Sequence, residues 1–173
     1  MSWRAPEVDR RTFVFLGDER TQLQGWLDYY RDTLLWKCAG LTAEELKRAS
    51  VEPSTLTLLG LVRHMAEVER AWFRIRADGQ DLPWIYCTDD NPDGDFDDVP
   101  TADAEADLAL FLAECAAADE AIAGLPLEHT FHHASRGLDI TLRWAVVHVV
   151  EEYARHCGHA DLIRERVDGA TGA

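Results

Sequence analysis

Apolar residues recur at helical spacing along most of the chain, and the first clear stretch follows Asp18, a favourable helix N-cap residue. We expect this helix to end at Gly40. Its inward stripe comprises Leu23, Trp26, Leu27, Tyr30 and Leu34. The next segment places Thr42 and Glu45 at capping-box spacing, which predicts one short helical turn. No stretch alternates apolar and polar residues over a length that would predict a sheet.

Three more helices follow by the same criterion. The second begins at Thr55 or Thr57 and ends at Gly79. Its apolar positions are Leu58, Leu61, Met65, Val68, Trp72 and Ile75. The third spans residues 101–124, and its inward positions are Leu108, Phe111, Leu112, Cys115 and Ile122. The fourth spans about 140–167 and contains the most unusual cluster of polar residues.

Four long amphipathic helices predict an all-α four-helix bundle, in which a metal or cofactor commonly lies between facing helices. Two connections are long, 80–100 and 125–139. The second of them contains three histidines, His129, His132 and His133. Long connections often shape a binding cleft. We expect a single domain over 1–173, with its core at about 15–168 and short tails at both ends.

The charge balance changes the expected partners rather than the expected fold. Lys and Arg total 17 against 32 Asp and Glu, a formal net charge of -15. Such a chain repels nucleic acid phosphates and anionic lipid headgroups, so neither nucleic acid nor a membrane is an expected partner. No apolar run approaches the roughly 18–20 residues of a membrane span, and the start MSWRAPEVDRR lacks the apolar segment of a signal peptide. We therefore expect a cytoplasmic protein.

The cysteines are widely spaced and contain no C-x-x-C pair. They are Cys38, Cys87, Cys115 and Cys157. In a cytosolic protein of this size they are most simply free thiols. We interpret Cys157, which adjoins His156, as a small packing residue.

The acidic segment 89–100, DDNPDGDFDDVP, nearly matches a calcium-binding EF-hand loop. The matching positions are Asp89, Asn91, Asp93, Gly94, Asp95 and Asp97. The twelfth position, where a bidentate Glu should complete the coordination, is Pro100, and no helix leads directly into the loop. We therefore interpret the segment as a solvated acidic loop rather than a calcium site.

The predicted fourth helix contains the densest set of candidate ligands, in HVVEEYARHCGHADLIRE at 148–165. Residues four apart share one face of a helix, so His148, Glu152 and His156 form a column. His159, eleven residues after His148, falls within about 20° of the same direction at about 100° per residue. Four side chains that could bind a metal therefore share one face.

Each of these side chains taken alone has a simpler explanation. Histidines on helices are commonly partly buried and hydrogen-bonded, and Glu152 could pair with Arg155. A catalytic zinc, however, usually takes three protein ligands, of which one helix can supply two at i and i+4. His64, the sole histidine of the second helix, lies within its inward stripe, where an imidazole needs a polar partner or a metal. His64, Glu152 and His156 form a set suited to zinc, nickel or another divalent transition ion.

Three stretches together resemble a known group of proteins. They are LDYYRDTLLWKCAGL in the first helix, LGLVRHMAEVERAWF around His64, and LRWAVVHVVEEYARHCGHADLIRE from Leu142 onward. Over about 15–170 the chain resembles the DinB/YfiT-like superfamily of metal-binding four-helix proteins. Within it, the chain is similar to the branch of mini-circle and mycothiol S-transferase-like proteins, which is related to the mycothiol-dependent maleylpyruvate isomerases.

The resemblance implies a metal held by one histidine of the second helix and two side chains spaced i, i+4 on the last helix, here His64, Glu152 and His156. The wider superfamily commonly has a histidine where this chain has Glu152, whereas the related isomerases are similar in using a glutamate. His159 matches a position where many relatives have glutamine, which implies a supporting or substrate contact. His148 lies one turn before Glu152 and is expected to orient it or to line the opening of the site.

The resemblance also implies thiol chemistry, in which a divalent metal, zinc or nickel, stabilises the thiolate of a cosubstrate such as mycothiol. The thiol would be joined to an electrophile, with His159 or His148 transferring a proton. Our hypothesis is a metal-dependent thiol S-transferase that acts in detoxification. The alternatives are a thiol-dependent isomerase, a metal-dependent hydrolase, and a metal-binding stress-response protein without turnover. Dimers are common among such bundles, but no apolar stripe here demands a homodimer.

Overall fold

The chain folds into four long helices, as its hydrophobic pattern predicts. The computed structural model describes residues 3–172 and contains, in chain order, α1 (Glu19–Cys38), α2 (Ala43–Leu46), α3 (Leu58–Glu69), a π-helix (Arg70–Ala77), α4 (Gly94–Asp97), a 3-10 helix (Val99–Thr101), α5 (Ala104–Ile122), β1 (Thr130–His133), β2 (Leu138–Thr141) and α6 (Leu142–Asp168). The π-helix directly continues α3, and together they form the second long helix of the bundle. Of the helices in this part of the chain, none combines the length and apolarity needed to cross a membrane.

Short polar side chains determine where the long helices begin. Asp18 caps α1 and Thr57 caps α3, each by accepting a hydrogen bond from a backbone N–H of the first turn. The predicted capping box of α2 is also present. The other two helices begin later than the predicted 101 and 140, because Asp103 caps α5 and Thr141 caps α6.

A two-stranded antiparallel hairpin occupies the second long connection, so the prediction of no sheet was wrong. Thr130 pairs with Thr141 and His133 with Leu138, and Gly137 turns the chain with a φ of 63°. Each strand has only 4 residues, which is too short for alternation to be recognised in the sequence. Because β2 leads directly into α6, the hairpin fixes where that helix starts.

The predicted stripes form most of the core, but two predicted core residues are on the surface. Trp26 is 41% exposed and Leu112 is 54% exposed. Trp26 packs instead in a surface aromatic group, 4.7 Å from the ring of Phe13 and 5.9 Å from that of Tyr30. Leu112 directly follows the buried Phe111, so a helical rotation of about 100° turns it away from the core.

The four cysteines all lie within residues 3–172 and are unpaired, which confirms the prediction of free thiols. Cys157 is buried on α6, with its Sγ 3.7 Å from the carbonyl oxygen of Tyr30. Burial raises the pKa of the Cys157 thiol to about 12. Cys157 is therefore a packing residue rather than a reactive thiol.

Glu67 anchors the long connection 80–100 to α3. Its side chain is buried, and its Oε1 accepts hydrogen bonds from three successive backbone N–H groups, those of residues 85–87, at 2.7–2.9 Å. A carboxylate that accepts several backbone N–H groups forms strong, charge-assisted hydrogen bonds. The first half of the connection is therefore fixed to the bundle.

Arg63 anchors the second half of the same connection. It donates to the backbone carbonyls of Gly94 and Asp95 at 2.9 Å and to Asp107 Oδ2 at 3.0 Å. Asp95 is consequently buried, with 4% of its surface exposed. The interpretation of the whole acidic segment as solvated was therefore wrong at Asp95, although neighbours such as Asp97 are exposed.

We expect the Glu67→Ala substitution to lower the free energy of unfolding by about 2–3 kcal/mol, because three backbone N–H groups would lose their charged acceptor. Urea denaturation measures this change. Limited proteolysis should also cut the connection 80–100 faster in the variant. Glu120→Ala, at an exposed position near the end of α5, is the matched control and should change stability by less than about 0.5 kcal/mol. Equal stability of the two variants would contradict the anchoring role.

Candidate metal centre

His64, Glu152 and His156 come together between α3 and α6, as the sequence analysis predicted. Each side chain offers one ligand atom, and these atoms all lie within 4.8 Å of one another. The imidazole rings of His64 and His156 are 4.8 Å apart between centroids. All three side chains are partly buried, so the cluster is shielded by protein but still open to a small molecule.

Asp95 determines the orientation of His64. Its Oδ2 lies 2.8 Å from His64 Nδ1, and because an ionised carboxylate only accepts hydrogen bonds, Nδ1 is the protonated nitrogen. The Phe96 ring stacks on the imidazole at 5.2 Å between centroids. His64 Nε2 is therefore the nitrogen left for a ligand. Metal-binding histidines commonly donate their second ring nitrogen to a carboxylate in this way.

On α6, Glu152 and His156 lie four residues apart on one face of the helix. His156 Nε2 is 3.5 Å from Glu152 Oε2, and His156 Nδ1 is 3.3 Å from His159 Nδ1. The Nε2 atom thus faces the other candidate ligand, while the opposite nitrogen faces His159. Arg155 pairs with Glu151 at 2.7 Å. The alternative in which Arg155 pairs with Glu152 was therefore wrong.

The environment of His156 favours its neutral form. Burial, together with the nearby rings of His64 and His159, lowers the pKa of His156 to about 4. The imidazole is therefore uncharged at neutral pH. A histidine must be in this form to bind a metal ion.

His148 lies between two tryptophans at one end of the cluster. Its ring stacks on Trp144 at 5.0 Å between centroids and meets Trp72 edge-on at 4.7 Å. Its Nε2 is 3.6 Å from Glu152 Oε1, and its Nδ1 is 3.5 Å from Glu151 Oε2. These three side chains form a second group of candidate ligands, in which Glu151 is exposed. His148 thus contacts Glu152, as a role in orienting that carboxylate requires.

The three histidines of the second connection lie outside both groups of candidate ligands in residues 3–172. The Nε2 atom of His129 is 3.0 Å from a backbone carbonyl at the end of the π-helix. His132 is exposed and bonds to Asp139 at 3.0 Å. His133 is buried, with its ring 5.3 Å from that of Trp72. These histidines therefore support the hairpin rather than the candidate centre.

Sequence reasoning did not find Asp95, because no spacing rule relates it to His64. The contact depends on how the connection 80–100 returns over α3. One signal was available in the sequence: Phe96 is an apolar residue within an otherwise acidic run. An apolar residue in such a run indicates that this part of the loop turns inward, and its neighbour Asp95 turns inward with it.

The donor set fits a divalent transition ion. Two imidazole nitrogens and one carboxylate oxygen are typical protein ligands of catalytic zinc, which keeps a further position open. With bonds of about 2.1 Å, the ligand atoms of a tetrahedral ion lie about 3.4 Å apart. The 3.5 Å between His156 Nε2 and Glu152 Oε2 matches this spacing. The other separations between the ligand atoms are at most 4.8 Å.

The fold and the site define the class: a four-helix bundle with a candidate metal centre between its second and last long helices. The structure of YfiT from Bacillus subtilis, described as a probable metal-dependent hydrolase with an unusual four-helix bundle topology, matches this chain with a TM-score of 0.65. The match covers 93% of this chain and 95% of YfiT at 18% sequence identity. It shows a common fold. A comparison with curated proteins gives no match.

The sequence also matches the profile of one family. The profile is that of the mycothiol-S-transferases, and it matches residues 22–169. This range contains His64, Asp95, Glu152 and His156. The chain therefore belongs to the mycothiol-S-transferase family, which confirms the resemblance found in the sequence.

The low pKa of His156 predicts that the metal-free protein is sensitive to acid. A histidine in the unfolded chain ionises near pH 6.5, whereas His156 in the folded protein ionises at about 4. Between these pH values the unfolded chain binds the additional proton. The contribution of His156 to the free energy of unfolding should therefore fall as the pH drops from about 6.5 to about 4, and should level off below that.

Urea unfolding of the metal-free protein at a series of pH values tests this expectation. The His156→Gln variant should show a smaller loss of stability across this pH range than the unsubstituted protein. His132→Gln, which removes an exposed histidine of the hairpin, should keep the original pH dependence. The same slope in all three proteins would contradict the low pKa of His156.

Proposed function

We propose that the protein is a metal-dependent mycothiol S-transferase, which joins mycothiol to an electrophile. Membership of the mycothiol-S-transferase family supports the thiol and the class of reaction. The observation that supports metal dependence is the convergence of His64, Glu152 and His156, whose ligand atoms lie within 4.8 Å of one another. Zinc is the proposed ion and nickel the second choice, because two imidazoles and a carboxylate suit both.

The thiolate that reacts must come from a bound thiol, since the cysteines of the chain are unsuited to this role. Burial raises the pKa of the Cys87 thiol to about 11 and those of Cys38 and Cys157 to about 12. Burial also raises the pKa of Cys115 well above its usual value. A divalent ion at the candidate centre would favour the thiolate of a cosubstrate whose free thiol, with a pKa of about 8.5, is mostly protonated at neutral pH.

The proposed ligands are positioned by contacts with one another and with two side chains outside the cluster, Asp95 and His148. Asp95 fixes the ring of His64 through its Nδ1–H. Glu152 lies between His148 and His156, with one carboxylate oxygen 3.6 Å from the first and the other 3.5 Å from the second. Such contacts reduce the reorganisation needed when a ligand binds.

His159 is the proposed acceptor of the thiol proton. It adjoins His156 through the 3.3 Å approach of their Nδ1 atoms and is partly exposed. A base in this position can take a proton from the bound thiol and pass it to water. His148 is the second candidate for this role, although two tryptophan rings restrict its movement. The overall reaction forms a carbon–sulfur bond, breaks the bond from that carbon to the leaving group, and releases the thiol proton.

Elemental analysis of protein purified without a histidine tag should find about one divalent metal ion per chain. His64→Ala and His156→Ala should each lose most of this metal, because each removes one of three proposed ligands. His132→Ala, which removes an exposed histidine bonded to Asp139, should retain it. Metal retained at the original level in both ligand variants would refute the assignment of the site.

Monobromobimane offered with mycothiol, cysteine or glutathione tests the reaction. We expect conjugation to be fastest with mycothiol, to fall about 100-fold or more when a chelator removes the metal, and to return when zinc is added. Formation of the fluorescent conjugate measures the rate. If no thiol gives a metal-dependent conjugate, the transferase proposal is wrong, and a thiol-dependent isomerase or a metal-binding protein without turnover would replace it.

A further inference from the structure

A cavity of about 340 Å³ lies beside His64, between the second long helix and the connection 80–100. His64 is the member of the candidate metal centre that lines it. Most of the remaining wall is apolar or aromatic, and it includes Val68, Ala71, Trp72, Trp84 and Phe96. A cavity of this size and composition suits a small molecule with an aromatic ring or a short unsaturated chain.

Arg76 also lines this cavity, and its guanidinium lies between two tryptophans. Its Cζ atom is 4.8 Å from the ring centroid of Trp72 and 5.6 Å from that of Trp84. Cation–π contacts of this kind involve the charge of the guanidinium and do not use a conventional hydrogen-bond acceptor. The guanidinium also carries five N–H donors. Among residues 3–172 no hydrogen bond or ion pair engages these N–H groups.

The other arginines of the π-helix have carboxylate partners, which makes Arg76 an exception. Arg70 and Arg74 both pair with Glu114, at 2.5 and 2.8 Å. Burial, together with the charge of Arg136, lowers the pKa of Arg76. A partly buried cation whose neighbour is another cation is stabilised when an anion binds.

The acids that line the cavity form no ion pair with Arg76 in the described part of the chain. The Asp95 carboxylate bonds to His64, and Glu67 Oε1 accepts the N–H groups of residues 85–87. Asp93 is exposed and forms no ion pair with Arg76 within the described chain. The unengaged N–H groups of Arg76 therefore suit an oxyanion on a bound molecule. A carboxylate can accept two parallel hydrogen bonds from a guanidinium.

We infer that this cavity binds the electrophilic substrate, and that Arg76 selects electrophiles that bear a carboxylate. The carboxylate bonds to the edge of Arg76, the apolar part packs on Trp84, Val68 and Phe96, and the reactive carbon lies toward His64. The reaction of this substrate rests on the proposed function. Its binding does not, because the cavity and Arg76 are present whether or not the protein transfers a thiol.

Binding is tested with 3,5-dinitrobenzoate and its methyl ester, two unreactive molecules that differ in the negative charge. Isothermal titration calorimetry on the protein as purified should show at least about tenfold tighter binding of the carboxylate, the effect expected for hydrogen bonds to a charged group. Arg76→Met should remove this preference. Arg76→Lys, which keeps the charge but not the planar pair of donors, should keep part of it.

Arg48→Met is the matched control for binding. It removes the same charge at an exposed position whose side chain bonds to the backbone carbonyl of Val167, near the end of α6, and which does not line the cavity. This variant should keep the full preference for the carboxylate. Equal binding of acid and ester by the unsubstituted protein, or an unchanged preference in both Arg76 variants, would overturn the inference.

Turnover is tested with 4-chloro-3,5-dinitrobenzoate and its methyl ester in the presence of mycothiol. In both, the thiol loses its proton, sulfur bonds to the carbon that bears chlorine, and chloride leaves. The ratio of kcat/KM for the acid over the ester should fall about tenfold or more in Arg76→Met and stay unchanged in Arg48→Met.

The two tests distinguish the inference from the proposed function. If 3,5-dinitrobenzoate binds more tightly than its ester but neither chlorinated compound is turned over, the inference is supported and the transferase proposal is contradicted. If both chlorinated compounds are turned over with the same kcat/KM, and 3,5-dinitrobenzoate binds no more tightly than its ester, the transferase proposal is supported and the role of Arg76 is contradicted.

Discussion

The contacts between one face of α3 and the connection 80–100 are the constraint on which the rest of the site depends. Arg63, His64 and Glu67 fall within about one helical turn; Arg63 and His64 both hold the connection at Asp95, and Glu67 holds it at residues 85–87. These polar groups are buried or partly buried, so the loss of one partner would leave the other without a hydrogen bond. The same contacts that close the fold therefore orient His64 through Asp95 and build one wall of the adjoining cavity.

Charge is distributed unevenly between the surface and the interior of this acidic protein. The formal net charge is -15, yet several arginines are used inside to neutralise buried acids. Arg31 bonds to Glu69 with both side chains almost fully buried, and Tyr153 donates to the same carboxylate at 2.8 Å. Removing one partner of such a buried pair would leave an uncompensated charge in the interior, which is strongly destabilising. Against this pattern, no hydrogen bond or ion pair engages the N–H groups of Arg76 among residues 3–172, which is the basis of the proposed carboxylate site.

Much of the fold and the core of the candidate site could be predicted from local patterns. Helical periodicity identified four helices, and the spacing of Glu152 and His156 placed both on one face, because a helix repeats every 3.6 residues. The inward stripe of the second helix singled out His64. Periodicity failed where its signal is short or ambiguous, as in the two strands of 4 residues and at Trp26, which is 41% exposed.

The sequence by itself determined the four helices, the pair of candidate ligands on α6, the acidic surface and the family. Only the tertiary structure decided that Asp95 turns inward to His64, and that Glu114 pairs with Arg70 and Arg74 while the N–H groups of Arg76 stay unengaged within the described chain. The physical reason is the range of the interactions. Periodicity and capping act within a few residues, whereas these contacts join residues about 30 to 45 positions apart, whose meeting depends on how the helices pack and where the connection returns.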